Sequence, residues 1–229
     1  MISSVRLIIL GKQGAGKGTQ CVRLSHHFVV PHISTGDIFR AAMRSDGEMG
    51  RQVRQFMSSG ELVPDEIVLG VVAERLKHQD ARTRGFVLDG FPRTVAQAEG
   101  LDDMLAPASI DLAVDLDLPT PVALRRLAGR RTCSACGANY HITRPPSINW
   151  TCDICGGEVI QRSDDTVAAI QRRLDLYERQ TEPLIAWYLE RDRLVVVNGM
   201  GDPEEVMSRL VGAIERRRHG PAAWRTQKC

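Results

Sequence analysis

A lysine at the end of a glycine-rich stretch is suited to holding phosphate groups. In the stretch GKQGAGKGT, Gly11, Gly16 and Lys17 fit the pattern G-x-x-x-x-G-K. Glycines let backbone N–H groups approach phosphate oxygens, and the lysine adds a point charge. The usual pattern has Ser or Thr directly after the lysine, whereas here Gly18 intervenes and Thr19 follows. The stretch predicts a nucleoside triphosphate site; the alternative is an ordinary glycine-rich turn.

The segment DGFPR carries a second group of residues that could take part in binding or catalysis. The apolar run Gly85–Asp89 reads as a buried strand that ends in a carboxylate. Ligands of open α/β sheets bind at such strand ends. There Arg93 can clamp a phosphate, Asp89 can hold Mg²⁺ directly or through water, and Gln97 can offer an amide to a base edge. The alternative is a strand end with a solvated arginine.

The segment HISTGD predicts a short strand that ends at Thr35, with a helix beginning near Gly36 or Asp37. Arg40 would then lie about one turn inside that helix. Taken alone, this segment is equally typical of a simple helix cap.

Four of the six cysteines form two C-x-x-C pairs that are fifteen residues apart, namely Cys133, Cys136, Cys152 and Cys155. This spacing is typical of a closed Cys₄ zinc site, which is structural because no coordination position stays open. Gly137 and Gly156 follow the two pairs and suit tight turns. Free thiols or two disulfides are the alternatives. Cys21 and Cys229 stand alone.

Arginines flank the cysteine window, with Arg125, Arg126, Arg130 and Arg131 before it and Arg162, Arg172 and Arg173 after it. Arg126 and Arg130 are four residues apart, so they share a face if one helix carries both. A polyphosphate would compensate such a group of like charges, and Asp164 and Asp165 could hold the arginines in place. Periodicity does not choose between Arg172 and Arg173, and a solvated basic face is the alternative for the group.

Strand-like and helical patterns alternate along the chain, which predicts an α/β fold with a parallel sheet and helices on both faces. The strand-like runs are Val5–Leu10, Gly85–Asp89, 110–118 and 194–197, and helical patterns cover 66–77 and 166–191. Two excursions interrupt the alternation: 35–64 is mostly helical, and 129–163 is rich in Cys, Gly, Pro and Asn. The chain therefore reads as one domain with insertions.

The composition excludes several classes of protein. With 229 residues, 43% hydrophobic and 25% charged, the chain is not largely disordered. A net charge of +2 does not suit a general nucleic-acid binder. Its apolar runs are far shorter than the roughly 20 residues of a membrane span. The N-terminus resembles no secretion signal, so we expect a cytoplasmic protein.

Four motifs together resemble the adenylate kinase family, in particular its zinc-bearing bacterial branch. They are G-x-x-G-x-G-K-G-T, H-I-S-T-G-D-x-x-R, D-G-F-P-R-T-x-x-Q and R-x-D-D, and the likeness spans residues 5–210. Gln13 stands where the family usually has proline. The resemblance implies a P-loop core, an excursion over AMP and a zinc-bearing lid over ATP. The implied boundaries are core 1–33, 64–125 and 164–216, AMP excursion 34–63, lid 126–163 and basic tail 217–229.

The resemblance also implies roles for particular residues. The AMP set is Thr35, Arg40, Glu61, Leu62, Val63, Gly90, Arg93, Gln97, Arg162 and Arg173. The ATP set is Gly14, Ala15, Gly16, Lys17, Gly18, Thr19, Arg126, Arg130, Tyr140 and Gly201, with Tyr140 and Gly201 beside the adenine. The catalytic set is Lys17, Arg93, Arg130, Arg162 and Arg173, with Asp89 holding Mg²⁺ through water.

The expected function is reversible phosphoryl transfer, MgATP + AMP = 2 ADP, by direct in-line attack in a monomeric enzyme that balances adenine nucleotides. Mg²⁺ and a structural Zn²⁺ are the expected cofactors. The expected partners are ATP, AMP and ADP, with neither nucleic acid nor membrane. Three alternatives stay open: a kinase for another nucleoside monophosphate, a GTP:AMP phosphotransferase, and a non-catalytic zinc-ribbon nucleotide-binding module.

Overall fold

The computed structural model describes residues 4–45, 47–162 and 165–219. The strands in these ranges are β1 (Val5–Leu10), β2 (His32–Ser34), β3 (Gly85–Asp89), β4 (Leu112–Asp117), β5 (Arg130–Cys133), β6 (Asn139–His141), β7 (Val159–Ile160) and β8 (Leu194–Asn198). The α-helices are α1 (Lys17–Phe28), α2 (Thr35–Arg44), α3 (Glu48–Ser59), α4 (Asp65–Leu76), α5 (Gln79–Arg84), α6 (Val95–Leu105), α7 (Thr120–Ala128), α8 (Val167–Leu176), α9 (Pro183–Glu190) and α10 (Pro203–His219).

A five-stranded parallel sheet in the order β2-β3-β1-β4-β8 forms the centre of the fold. Its middle strand is buried on both faces because successive side chains point in opposite directions. Ile8 joins the apolar layer that includes Leu101 of α6, whereas Leu7 and Ile9 join the layer that includes Leu24 of α1 and Leu210 of α10. Helices therefore cover both faces, and the predicted α/β fold is confirmed.

The carboxyl ends of the strands meet at one edge, and this edge gathers the motifs. Ile9 of β1 and Ser34 of β2 are both paired in register with Asp89 of β3. The glycine-rich loop, the start of α2 and the DGFPR segment consequently leave the sheet side by side.

The helix α2 begins at Thr35, because the hydroxyl of Ser34 accepts a 3.2 Å hydrogen bond from the backbone N–H of Asp37 and caps it. The prediction that the strand extends to Thr35, with the helix starting near Gly36 or Asp37, is wrong by one or two residues. Helices α2 and α3 form the helical excursion.

The predicted helix 166–191 is interrupted by a π-helical turn, Tyr177–Thr181, between α8 and α9. The backbone N–H of Glu182 bonds to the carbonyl of Tyr177 at 2.8 Å, an i→i+5 bond. Pro183 begins α9 and has no N–H to donate to the series of helical backbone hydrogen bonds. The helix therefore accommodates one extra residue before this proline.

A small antiparallel sheet in the order β6-β5-β7 organises the cysteine-rich excursion. Helix α7 ends at Ala128 with Gly129 as its C-cap, and Arg130 already belongs to β5. The idea that Arg126 and Arg130 share a helical face is therefore wrong, because the glycine stops the helix between them.

Helix α10 continues through residues 217–219 of the predicted basic tail, and residues 220–229 lie outside the described part of the chain. In the described ranges, the helices are all too short or too polar to span a membrane.

Candidate active site

The glycine-rich loop joins β1 to α1 and is shaped by its glycines. Gly11, Gly14 and Gly16 have φ angles of +130°, +82° and +99°, a region that favours glycine. A Cβ on Gly14 would lie only 2.6 Å from the carbonyl oxygen of Ala123 in α7. The loop therefore packs tightly, and the N-terminus of α1 begins at Lys17 directly beyond it, where backbone N–H groups favour an anion.

Lys17 lies in the loop with its ammonium group close to the backbone. Its Nζ donates to the carbonyl oxygens of Gly11 at 2.5 Å and Lys12 at 2.9 Å. Burial lowers the pKa of Lys17 to about 8, while the Asp89 carboxylate opposes that shift. The positive charges of Arg93 and Arg130 lower the pKa of Lys17 further. Lys17 therefore belongs to a larger cationic site.

Asp89 lies at the end of β3 and faces the same loop. Its Oδ2 is 3.5 Å from Nε2 of His32, and a Cβ on Gly18 would lie 3.4 Å from that oxygen. Burial alone would raise the pKa of Asp89, but His32 and the charge of Lys17 lower it overall. The side chain therefore presents a charged carboxylate to the loop, which fits the single-carboxylate type of Mg²⁺ site.

A cleft lies between the helical excursion and the DGFPR segment. Seven of the ten residues predicted for AMP line it, namely Thr35, Glu61, Leu62, Val63, Gly90, Arg93 and Gln97. The three arginines 40, 162 and 173 are not in this lining. Apolar side chains of Phe39, Met57 and Val68 complete the wall.

Hydrogen bonds hold the polar residues of the cleft in place. Thr35 Oγ1 and Arg93 Nε both donate to the carbonyl of Gly90, at 3.0 and 2.8 Å. Gln97 accepts from the backbone N–H of Arg93 at 2.8 Å and donates to Asp65 at 2.6 Å. Asp65 is absent from the predicted set; it follows a proline at the start of α4 and looks in sequence like an ordinary first-turn acid.

Two further arginines approach Arg93. Burial lowers the pKa of Arg93, and the charges of Arg173 and Arg40 lower it more. Arg173 also donates to the carbonyl of Met57 at 3.3 Å, whereas Arg40 pairs with Asp37 at 2.5 Å. A cationic group of this kind needs an anion, and a phosphate fits it.

Asp165 connects two of the predicted phosphate-binding arginines. Its side chain is fully buried. Arg130 forms a bidentate pair with it, in which Nε donates to Oδ2 at 2.7 Å and Nη2 donates to Oδ1. Arg173 Nη1 lies 3.8 Å from the same carboxylate. Asp165 therefore fulfils the predicted role of holding arginines, whereas Asp164 lies outside the described residues. Arg172, in contrast, is exposed and bonds to the carbonyl of Ser59.

Arg126 and Arg162 lie beside the glycine-rich loop and in the cysteine-rich excursion, respectively. Arg126 donates to the carbonyls of Ala15 in the glycine-rich loop at 3.3 Å and of Gly199 at 3.2 Å, close to Gly201. Arg162 donates within the lid to Thr132 at 2.9 Å and to Asn139 at 3.1 Å.

The four cysteines of the cysteine-rich excursion converge on one point. Their Sγ atoms all lie within 4.8 Å of one another, with pairs at 3.5 Å (Cys133 and Cys155) and 3.6 Å (Cys136 and Cys152). Four sulfurs at about 2.3 Å from a central ion would be separated by roughly 3.8 Å, so the cluster fits tetrahedral zinc. Gly137 follows its pair at φ +77°, the tight turn expected there.

Tyr140 contacts this cluster through its hydroxyl, which lies 3.4 Å from Cys152 Sγ and accepts a 2.8 Å bond from the N–H of Asp153. The bond from Tyr140 lowers the pKa of the Cys152 thiol to about 6, which favours a metal-binding thiolate. The hydroxyl thus supports the metal cluster, and contact of Tyr140 with adenine stays a prediction.

Comparisons with known proteins agree with this geometry. The sequence model of the family described as adenylate kinase matches residues 9–193. The adenylate kinase of Thermodesulfovibrio yellowstonii is 46% identical over 93% of this chain and 100% of its own length. Those of Clostridium novyi and Desulfitobacterium hafniense are 45% and 46% identical over 92% of this chain and 99% and 98% of their own lengths.

A phosphate loop, a cleft that contains Arg93 and a cluster of four cysteines thus occur together in a chain that matches such relatives over nearly their whole length. The protein is therefore an enzyme, a nucleoside monophosphate kinase that belongs to the adenylate kinase family.

Proposed function

We propose that this enzyme catalyses MgATP + AMP = 2 ADP by direct in-line phosphoryl transfer and so balances adenine nucleotides, as a monomer in the cytoplasm. The observation that carries the proposal is that the glycine-rich loop and the cleft segment with Gly90 and Arg93 leave the same edge of the sheet, where Ile9 is paired with Asp89. Lys17 of the phosphate loop responds to the charge of Arg93, and Arg93 in turn responds to Arg173 and Arg40. A donor and an acceptor phosphate would therefore share one cationic field.

The donor nucleotide would lie on the phosphate loop and under the lid. Its proposed contacts are Gly14, Ala15, Gly16, Lys17, Gly18, Thr19, Arg126, Arg130, Tyr140 and Gly201. The bonds of Arg126 to the loop residue Ala15 and to Gly199 support this assignment, because they hold a guanidinium beside the loop.

The acceptor nucleotide would occupy the cleft beside Arg93. Its proposed contacts are Thr35, Arg40, Glu61, Leu62, Val63, Gly90, Arg93, Gln97, Arg162 and Arg173. Gln97 supports a base there, because it lines the cleft and its bonds to Arg93 and Asp65 hold its amide in place.

Phosphoryl transfer requires positioning and charge neutralisation more than a protein nucleophile. Lys17, Arg93, Arg130, Arg162 and Arg173 would neutralise charge on the transferred oxygens. Water competes as an acceptor, so the helical excursion 34–63 and the lid 126–163 would close over the core only around both substrates.

Metal ions have two separate places in the proposal. Mg²⁺, when bound, would offset the charge of the donor phosphates. Asp89 would hold its water ligands. The lid cysteines would hold Zn²⁺ as a closed structural site, which keeps a segment with few buried apolar residues folded.

The test is a transfer assay with purified, zinc-loaded enzyme. MgATP or MgGTP is mixed with AMP, UMP, CMP or GMP, and the products are separated by ion-exchange chromatography. Rapid ADP formation with ATP and AMP alone supports the proposal. Turnover with another acceptor or with GTP would replace the adenine assignment, and the absence of transfer with every pair would indicate a binding module.

A further inference from the structure

A second group of metal-binding side chains lies outside the lid. Cys21, His32 and Asp89 each offer one ligand atom, and these atoms lie within 4.8 Å of one another. The group is assembled from three elements, since α1 carries the cysteine, β2 the histidine and β3 the aspartate. In the sequence Cys21 is an isolated cysteine; the packing of α1 on the sheet brings it to the other two.

The register of the strands explains the pairing of the histidine and the carboxylate. His32 is paired with Val87, and Asp89 comes two residues later on the same strand, so both side chains point to the same face. Nε2 of His32 and Oδ2 of Asp89 are 3.5 Å apart, close to the spacing of two ligands on one tetrahedral ion.

Two atoms of this group, Nε2 of His32 and Sγ of Cys21, are buried. Nε2 of His32 is buried, and its nearest polar partner in the described part of the chain is Oδ2 of Asp89, a member of the same group, at 3.5 Å. Cys21 is completely buried and forms no disulfide with any of the other cysteines in the described ranges. The neighbouring Lys17 donates hydrogen bonds from its ammonium group to the carbonyls of Gly11 and Lys12, while its charge also acts on Asp89.

We propose that Cys21, His32 and Asp89 form a binding site for a thiophilic divalent cation, Zn²⁺ or Cd²⁺, beneath the phosphate loop, and that such an ion inhibits the enzyme. A thiolate, an imidazole and a carboxylate are the ligands that zinc-like ions prefer, whereas Mg²⁺ avoids sulfur and nitrogen. Binding transfers the thiol proton of Cys21 to the solvent. Inhibition rests on the proposed function, because the bound ion would engage the carboxylate assigned to the waters of Mg²⁺.

The binding test uses zinc-loaded enzyme without nucleotide and Cd²⁺ as the probe. We expect one Cd²⁺ per chain in addition to the lid zinc, seen by native mass spectrometry, together with the ultraviolet band of a cadmium–thiolate bond. Cys21→Ala should abolish the band and weaken cadmium binding at least about 10-fold. Cys229→Ser is the matched control and should change neither quantity.

His32→Gln provides a second variant if Cys21→Ala unfolds, and it should weaken binding while the thiolate band shifts. Persistence of the band and affinity in both variants would overturn the site. Release of one lid zinc for each cadmium bound, or the absence of a second ion in the unmodified enzyme, would overturn it as well.

The inhibition test follows ADP formation at the cadmium concentration that fills the site. The rate should fall at least about 10-fold in the unmodified enzyme and stay unchanged in Cys21→Ala, whose rate without cadmium should equal that of the unmodified enzyme. Binding without inhibition would overturn the inhibitory role. An enzyme that binds cadmium through Cys21 but transfers no phosphate would contradict the proposed function and leave the metal site standing.

Discussion

Thr181 donates a 3.0 Å hydrogen bond from its Oγ1 to the backbone carbonyl of Arg93, across 88 residues of sequence. The threonine ends the π-helical turn, and the arginine follows the strand that delivers Asp89. The π-helical turn thus fastens the segment after α8 to the segment that carries the acceptor-side arginine.

We predict that Thr181→Val loosens Arg93 and raises the KM for AMP about 3- to 10-fold, because the lost hydrogen bond contributes about 1 kcal/mol. The KM for ATP should change little. Steady-state kinetics with each nucleotide varied in turn checks this, and Thr181→Ser, which keeps the donor, should restore the KM. A purely structural role would instead leave both KM values unchanged and lower only the melting temperature.

Replacing Lys17 should affect the chemical step. Lys17→Met removes one charge from the proposed transition-state site, and we expect kcat to fall at least about 100-fold. Lys12→Met is the matched control from the same loop, since the ammonium group of Lys12 donates to Thr120 at 3.0 Å. Single-turnover measurements on both variants distinguish a slower transfer from slower product release, and a near-normal rate in Lys17→Met would contradict the role assigned to it.

Variants of Arg93 and Arg126 should distinguish the acceptor site from the donor site. Arg93→Lys loses the fork that suits a phosphate, so the KM for AMP should rise about 10- to 100-fold. Arg126→Lys should raise the KM for ATP by a similar factor, because Arg126 lies on the loop at Ala15. Equilibrium binding of each nucleotide alone, measured by calorimetry, checks the division; equal losses for both nucleotides in either variant would argue against it.

Removal of one lid cysteine should destabilise the fold more than the chemistry. Cys152→Ser is expected to lose the metal and about 3 kcal/mol, which corresponds to a drop in Tm of roughly 6–12 °C. Metal analysis and thermal unfolding check this, with Cys229→Ser as the control. The opposite pattern, an intact lid with abolished chemistry, would contradict a structural metal.

Asp115 should make the stability depend on pH. Burial, together with the charge of Asp117, raises the pKa of Asp115 from 3.8 to about 6, with Lys17 and a hydrogen bond from Tyr177 opposing the shift. Between pH 4 and pH 6 the folded state therefore binds more protons than the unfolded state, so this group's stabilising contribution is lost as the pH rises through that window.

Asp115→Asn removes this loss and should stabilise the enzyme by up to about 3 kcal/mol at pH 7.5, with little gain below pH 4. Urea unfolding at several pH values checks the difference. Asp103→Asn, at an exposed position of α6, is the control and should leave the pH profile unchanged; a parallel profile in Asp115→Asn would exclude Asp115 as the source.

Features that are contiguous in sequence could be predicted. The phosphate loop is one uninterrupted stretch, and the spacing of the four cysteines predicts their cluster. The strand ending in Asp89 was visible because a buried parallel strand is apolar throughout. In these cases short-range geometry decides the structure.

Features that arise from packing could not be predicted. The partnership of Cys21 with His32 needs the placement of α1 on the sheet. The π-helical turn depends on how α8 and α9 pack around Pro183, and the bond from Thr181 follows from it. Likewise, Gly129 separates Arg126 from Arg130, although their spacing alone suited one helix.

The buried carboxylate of Asp165 acts as an internal counter-ion for Arg130 and Arg173. Part of the positive charge in the pocket is therefore already neutralised by the protein, and small anions gain little by approaching it. To bind these guanidinium groups, a nucleotide has to interact with them more strongly than Asp165 does. When phosphate binds, the guanidinium groups exchange Asp165 for the nucleotide. This exchange favours a densely charged polyphosphate over chloride or sulfate.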